Sequence, residues 1–248
     1  MKKISIDINA DVGEGFTSDA DLMPFISSAN IACGYHAGSV DIMKYTMDLA
    51  FKHKVAIGAH PGFNDKNNFG RNNIQLSNDG YYNLVSEQLN IMQQHITHSE
   101  FIIHHVKPHG ALYNMAASNP TIAQIIAKAV FDFNHEIIFY GLSGSCMITE
   151  AKKIGLTTAN EVFADRTYQP NGTLTSRKES NALIQDADQA IQQVLQIVET
   201  ESVKTVDNTF IPMKADTICL HSDGKHAVEF ATILFKTLKE HKIEIQTI

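Results

Sequence analysis

The chain is short of positive charge, of cysteine and of long apolar runs, and each shortage excludes a class of protein. Lysine and arginine number 20 against 27 aspartates and glutamates, a formal charge of −7 over 248 residues. Nucleic-acid backbones and anionic membranes attract net positive potential, so neither is an expected partner. Cys33, Cys146 and Cys219 stand far apart with no CxxC pair, which points to reduced thiols in the cytoplasm rather than a disulfide frame. No stretch approaches the ~20 apolar residues of a membrane span. MKKISIDINADVGEG has too few apolar residues before Asp7 for a signal-peptide core.

Familiar catalytic signatures are missing too. No GxSxG elbow occurs, and Ser-Gly-Ser at 143–145 has the wrong spacing. There is no GxxxxGK[ST] phosphate loop, and GEGF at 13–16 is too short to open a Rossmann unit. Cys33 stands three residues before His36, but its parity opposes that of Asn30 and His36, which disfavours a thiol nucleophile.

What is present is an alternation of short apolar runs and longer amphipathic ones. Strands are expected at KISIDIN, SSANIAC, KVAIGAH, FIIHHVK, EIIFYGL, TTANEVFA and DTICLHS. Apolar residues three or four apart predict helices over VDIMKYTMDLAFKH, YYNLVSEQLNIMQQHI, TIAQIIAKAVFDF, CMITEAKKI, ESNALIQDADQAIQQVLQIVE and HAVEFATILFKTLKEH. Such units imply parallel strands with right-handed crossovers. About seven of them, with KIEIQTI a candidate eighth, favour a closed α/β barrel over an open sheet. SVKTVDNTFIPMKA breaks the rhythm and predicts a small β-hairpin insertion near 202–215. No linker or repeat divides the chain, so one domain over 1–248 is expected.

Side chains alternate across a strand, so residues of one parity share a face. Ser5, Asp7, Asn9 and Asp11 share one in the first strand, opposite Ile4, Ile6, Ile8 and Ala10. The second strand carries Asn30 and ends toward His36. The third holds Gly58 and His60, and the fourth His105, Lys107 and His109. Glu161 and Asp165 follow in the sixth, then Cys219, His221 and Asp223 in the seventh. Nearly every strand therefore ends at its carboxyl side in a titratable group of one parity, where barrel active sites are built. His104 faces the other way and is read as structural.

The pocket so assembled would combine carboxylates and imidazoles with the cations Lys107 and Arg166. These are ingredients for acid–base chemistry on water and a carbonyl, with cations to hold an anion or stabilise developing charge. Asp11 with His60 is one candidate pair for activating water. Asp11, His36, His60 and His221 would equally make a zinc or manganese set. His105 and His109 read HxxxH, but Pro108 disfavours the helix that would align them.

DINADVGEGF at 7–16, SANIACGYHAGS at 28–39, IGAHPGFND at 57–65, FGRN at 69–72, VKPHGALYN at 106–114, EVFADRTYQPNGTLTSR at 161–177 and ICLHSDG at 218–224 together resemble the LamB/YcsF family. The resemblance runs in order over nearly the whole chain. It implies a distorted (β/α) barrel of about seven strands, of the glycoside hydrolase/deacetylase type. It also implies the A component of a bacterial ATP-dependent 5-oxoprolinase, which opens 5-oxo-L-proline to L-glutamate with subunits B and C. A five-membered lactam is a stable amide, and phosphorylating its oxygen would make it an electrophile. Without a phosphate loop here, the partners would activate the lactam with ATP and this chain would deliver water.

On that footing Asp11, His60, Lys107, His109, Glu161, Asp165 and His221 are the expected catalytic residues. Asn9, Glu14, Asn30, His36, Arg71, Arg166 and Asp223 are the expected substrate contacts. A carboxylate–histidine pair would activate water, and His109 or His221 would protonate the leaving nitrogen. Two other functions stay open: a metal-dependent amide or sugar deacetylase acting alone, and a non-catalytic subunit that only captures a small acid.

Overall fold

The computed structural model describes residues 4–96, 98, 100–221 and 227–248, with only the backbone of His221. Its strands are β1 (Ser5–Val12), β2 (Ser28–Ala32), β3 (Ala56–His60), β4 (His105–Val106), β5 (Ile138–Leu142), β6 (Thr158–Phe163), β7 (Ser202–Lys204), β8 (Phe210–Pro212), β9 (Thr217–His221) and β10 (Glu244–Ile245). β1 to β6 pair in order, all parallel. β9 bridges β6 and β1, with Asp7 opposite Thr217, and closes a seven-stranded barrel as the sequence pattern predicts. β10 lies beside the start of β1, Ser5 opposite Glu244, below the point where β2 takes over at Asn9. β7 and β8 form a separate antiparallel pair.

Among the described residues eight α-helices surround the ring: α1 (Asp19–Leu22), α2 (Val40–His53), α3 (Asn78–Gln94), α4 (Gly110–Ser118), α5 (Pro120–Phe133), α6 (Cys146–Lys153), α7 (Ala187–Thr200) and α8 (Ala227–Glu240). Local chemistry sets their ends. Asn119 caps α5 by accepting from the amides of Thr121 and Ile122, with Pro120 at the first helical position. Ser39 caps α2, which ends on Lys54 in the left-handed region. None among the described residues is long and apolar enough to cross a membrane.

Four local expectations fail. The helix predicted from residue 179 begins at Ala187, where the Asp186 carboxylate accepts from Gln189 N at 2.8 Å. The residues before it are held as a loop, with Leu183 bridged to Arg166. α4 went unpredicted because GALYNMAAS is apolar almost throughout and shows no periodic polar face. Of FIIHHVK only two residues are strand. β2 stops at Ala32, so His36 lies on the loop before α2 and not at a strand end.

Outward rows of the barrel are apolar: Ile6, Ile8, Ala10 and Val12 are buried beneath the helices. The inward rows are polar, and burying polar groups is tolerable only when they are hydrogen-bonded. Asp7 at the lower end accepts from the hydroxyls of Ser27, Ser28, Thr217 and Tyr140. Thr247, just past β10, sits 3.1 Å from the Ser28 hydroxyl and helps close this floor. One layer higher, Asn9 donates to Thr217 at 2.7 Å and accepts from Asn30 at 2.7 Å. His105 donates to Asn30 Oδ1 at 2.8 Å and stacks on Tyr140. Gly58 makes room for that ring, because a Cβ there would lie 2.2 Å from His105 Nε2.

Candidate active site

Above the sealed floor the strand ends open into a cleft of about 860 Å³, a volume typical of small-molecule sites. Asp11 brings a carboxylate to its base. Asp11 Oδ1 accepts from Asn30 Nδ2 and Lys107 Nζ, both at 2.8 Å, while Oδ2 lies 3.4 Å from His60 Nε2. Lys107 is only 2% exposed, and its ammonium also lies 2.8 Å from Glu161 Oε1, 3.0 Å from Cys219 Sγ and 3.2 Å from Asn9 Oδ1. Its three protons go to Asp11, Cys219 and Asn9, and Glu161 pairs with it by charge alone. Burial alone would lower the Lys107 pKa, but Asp11, Cys219 and Glu161 hold it well above the ordinary lysine range. Lys107 is thus a fixed cation that orients Asp11, with its protons directed into the protein.

A second cluster sits beside Asp11. Glu14, His36, His60 and His109 bring ligand-type atoms within 4.8 Å of one another. His60 Nδ1 donates to the Lys107 carbonyl at 2.7 Å, and His109 Nε2 donates to the Phe69 carbonyl at 2.9 Å. Their other nitrogens, His60 Nε2 and His109 Nδ1, face each other at 3.0 Å. Glu14 Oε1 lies 3.4 Å from His109 Nδ1, 4.0 Å from His60 Nε2 and 3.2 Å from His36 Nε2. The His36 ring stacks on His109 with centroids 3.8 Å apart and planes within 6°. Burial pushes the His109 pKa down to about 3 and His36 well below the usual imidazole range, so both rings are neutral near pH 7. Gly70, at a φ of 61°, lets the backbone run against both rings; a Cβ there would come 2.8 Å from His36 Cβ.

The outer wall is cationic although the chain is acidic. All three arginines of the sequence, Arg71, Arg166 and Arg177, line the cleft, together with Lys178. Arg71 packs its guanidinium over the Phe69 ring at 4.8 Å. Arg166 is buried, donates to the Ala182 carbonyl, and stays cationic although burial and Arg177 lower its pKa to about 10.

Of the residues singled out from sequence, Asp11, Glu14, His60, Arg71, Lys107, His109 and Arg166 line the cleft. Asn9, Asn30, His36 and Glu161 are fully buried behind that surface. Asp165 is not on the lining, and its backbone carbonyl is engaged by Ile184 N at 2.8 Å. The His221 side chain and Asp223 lie outside the described residues. Around His36 and His60, the residues that assemble are Glu14 and His109 beside Asp11. Cys33 is buried, and that burial pushes its thiol up to about 12. Sequence reasoning missed Tyr113, Arg177 and Lys178, which also line the cleft. Tyr113 rides on the unpredicted α4, where burial and then Glu161 raise its pKa. Arg177 ends the ADRTYQPNGTLTSR stretch, the one signal that pointed to it.

The barrel is of the deacetylase-like kind. It is similar to a family 4 carbohydrate esterase from Streptomyces lividans, with a TM-score of 0.54 over 97% of this chain and 91% of that one; 11% identity makes this a likeness of fold alone. Within that class the chain belongs to the LamB/YcsF family, which it matches over residues 6–248. It is 47% identical over 248 residues to a Staphylococcus aureus (strain JH9) protein named as the A component of 5-oxoprolinase, covering 98% of this chain and 99% of that one. It is also similar to the lactam utilization protein from Thermus thermophilus, with a TM-score of 0.92 and 34% identity over 99% and 100% of the two chains. The family and fold expected from the motifs are therefore both correct.

Proposed function

We propose that this chain is the A component of an ATP-dependent 5-oxoprolinase, and that its cleft opens the activated lactam of 5-oxo-L-proline to give L-glutamate. The observation that carries the mechanism is Asp11. One oxygen is pinned by Lys107 and Asn30, the other is turned toward the cleft beside His60, and the arginine wall stands above. The names of the relatives, a 5-oxoprolinase component and a lactam utilization protein, support the choice of substrate.

In this proposal subunits B and C transfer the γ-phosphoryl group of ATP to the lactam oxygen. Arg71, Arg177 and Lys178 hold the resulting anion. Asp11 Oδ2 takes a proton from water as the water oxygen bonds to the ring carbon. The carbon–nitrogen bond then breaks as the new hydroxyl re-forms a carbonyl, and its proton and the one held by Asp11 both pass to the nitrogen, which leaves as an ammonium. A second water releases phosphate from the acyl phosphate left behind. His109 is neutral at working pH and does not serve as the acid.

The test is glutamate release from 5-oxoproline and ATP by this chain alone, by subunits B and C alone, and by the mixture. Release only from the mixture is the expected result; release from B and C without this chain overturns the proposal. The Glu14–His60–His109 group favours one competing function, amide hydrolysis by the chain alone. Amide cleavage by this chain without ATP or partners would establish it.

A further inference from the structure

The two histidines at the centre of the cleft pose a bonding problem. The Lys107 and Phe69 carbonyls can only accept, so His60 carries its proton on Nδ1 and His109 on Nε2. That leaves two lone pairs, His60 Nε2 and His109 Nδ1, pointing at each other across 3.0 Å. Glu14 Oε1 adds a third electron-rich atom 3.4 Å from one and 4.0 Å from the other. Two facing imidazole lone pairs with a carboxylate oxygen beside them form a donor set suited to a cation. Ligand atoms bonded to a cation at about 2.0–2.2 Å stand roughly 3–3.5 Å apart, as the 3.0 and 3.4 Å separations do, while the Glu14–His60 separation of 4.0 Å is wider.

We infer that Glu14 Oε1, His60 Nε2 and His109 Nδ1 hold one divalent first-row transition-metal ion, with His36 outside the ligand set. His36 is excluded by its ring plane. It lies parallel to His109 at a 3.8 Å centroid separation, so a cation in the plane of one ring is out of the plane of the other. His36 instead donates Nε2–H to Glu14 at 3.2 Å and orients that carboxylate from behind. Two imidazoles and one carboxylate select zinc, cobalt, manganese or iron over calcium and magnesium, which prefer all-oxygen sites. Bound there, the ion would act as a Lewis acid next to Asp11. The site is independent of which amide the cleft takes, so metal binding and glutamate release can fail separately.

The test uses the chelator-stripped full chain. Titrated with Co²⁺, it is expected to show visible d–d bands saturating at one ion per chain, with Zn²⁺ displacing them and a hundredfold excess of Mg²⁺ or Ca²⁺ not doing so. Imidazole ¹⁵N spectra of the unmutated chain are expected to move on Zn²⁺ addition at one nitrogen each of His60 and His109 and at neither nitrogen of His36. His109→Gln should weaken Co²⁺ binding at least a hundredfold, while His36→Gln weakens it less than tenfold. The inference is overturned if the stripped chain binds neither ion below millimolar concentration. It is also overturned if the ¹⁵N spectra show a single proton shared between His60 and His109 with Zn²⁺ present, or if His36 responds as a ligand.

Discussion

Asp7 and Asp11 stand four residues apart on the same inward row of β1 and have opposite surroundings. Asp7 accepts from Ser27 at 2.6 Å, Ser28 at 2.8 Å, Thr217 at 2.6 Å and Tyr140 at 3.0 Å, which satisfies both its oxygens with short, rigid hydroxyls. Burial raises its pKa even against those four donors. Asp11 has one oxygen fixed by Lys107 and Asn30 and turns the other toward His60 at the cleft. Below, every acceptor has found a hydrogen and the result is a floor. Above, lone pairs of His60 and His109 confront each other. The difference separates a polar core that only holds the barrel shut from one that is set to act on a ligand.

Substitutions can break this contrast. The largest effect is expected from Asp11→Asn, which keeps an oxygen for Lys107 and Asn30 but removes the proposed base. Glutamate formation by the reconstituted enzyme should fall by about 10³-fold or more, with an unfolding free energy within about 2 kcal/mol of the parent. Asp7→Ala should do the reverse. It deprives four hydroxyls of their acceptor, those of Ser28, Tyr140 and Thr217 fully buried. Stability in urea unfolding is expected to drop by about 3 kcal/mol while turnover per folded molecule stays within about threefold. If Asp7→Ala abolished turnover in a folded protein, the lower half would be part of the machinery and the contrast would be wrong.

A smaller effect is expected at Asp19, whose Oδ2 accepts from Gly13 N at 2.7 Å and so steadies the turn that carries Glu14. Burial raises its pKa from 3.8 to about 6. The folded state therefore holds this proton more tightly than the unfolded state between those values. On this account stability rises as pH falls from about 6 toward 4 and is diminished above 6. Asp19→Asn removes the dependence. The stability of the variant relative to the parent should fall by roughly 2 kcal/mol between pH 8 and pH 4, one pKa unit being about 1.4 kcal/mol. A flat difference would place the Asp19 proton elsewhere.

The inner face of β1 was legible because a period of two leaves no freedom once one residue is placed: Asp7, Asn9 and Asp11 all point inward. Parity also placed His105 and Lys107 correctly, although β4 is far shorter than its apolar run suggests. It lost authority where the strands end. Glu14 reaches the cleft and His36 the layer behind it on loops, and only the folded chain shows that they meet His109 rather than a strand-end neighbour. Tyr113 was hidden by the evenly apolar sequence of α4, and Arg177 by the irregular loop after β6, which Arg166 ties together by donating to the Ala182 carbonyl. Spacing along an element is a local property; convergence from several loops is not.

The pairing of β1 with β9 has a consequence in time. Asp7 and Thr217 are 210 residues apart in the chain. A ribosome adding roughly 5–20 residues per second leaves the first strand waiting about 10–40 s for its partner. Until then β1 has a free edge and a row of carboxylates and amides with no barrel around them. Closure must bring together the two most distant strands of the ring, a topology that slows folding. During synthesis the polar inner row gives that waiting strand one face that water can solvate, opposite the apolar row of Ile6, Ile8, Ala10 and Val12.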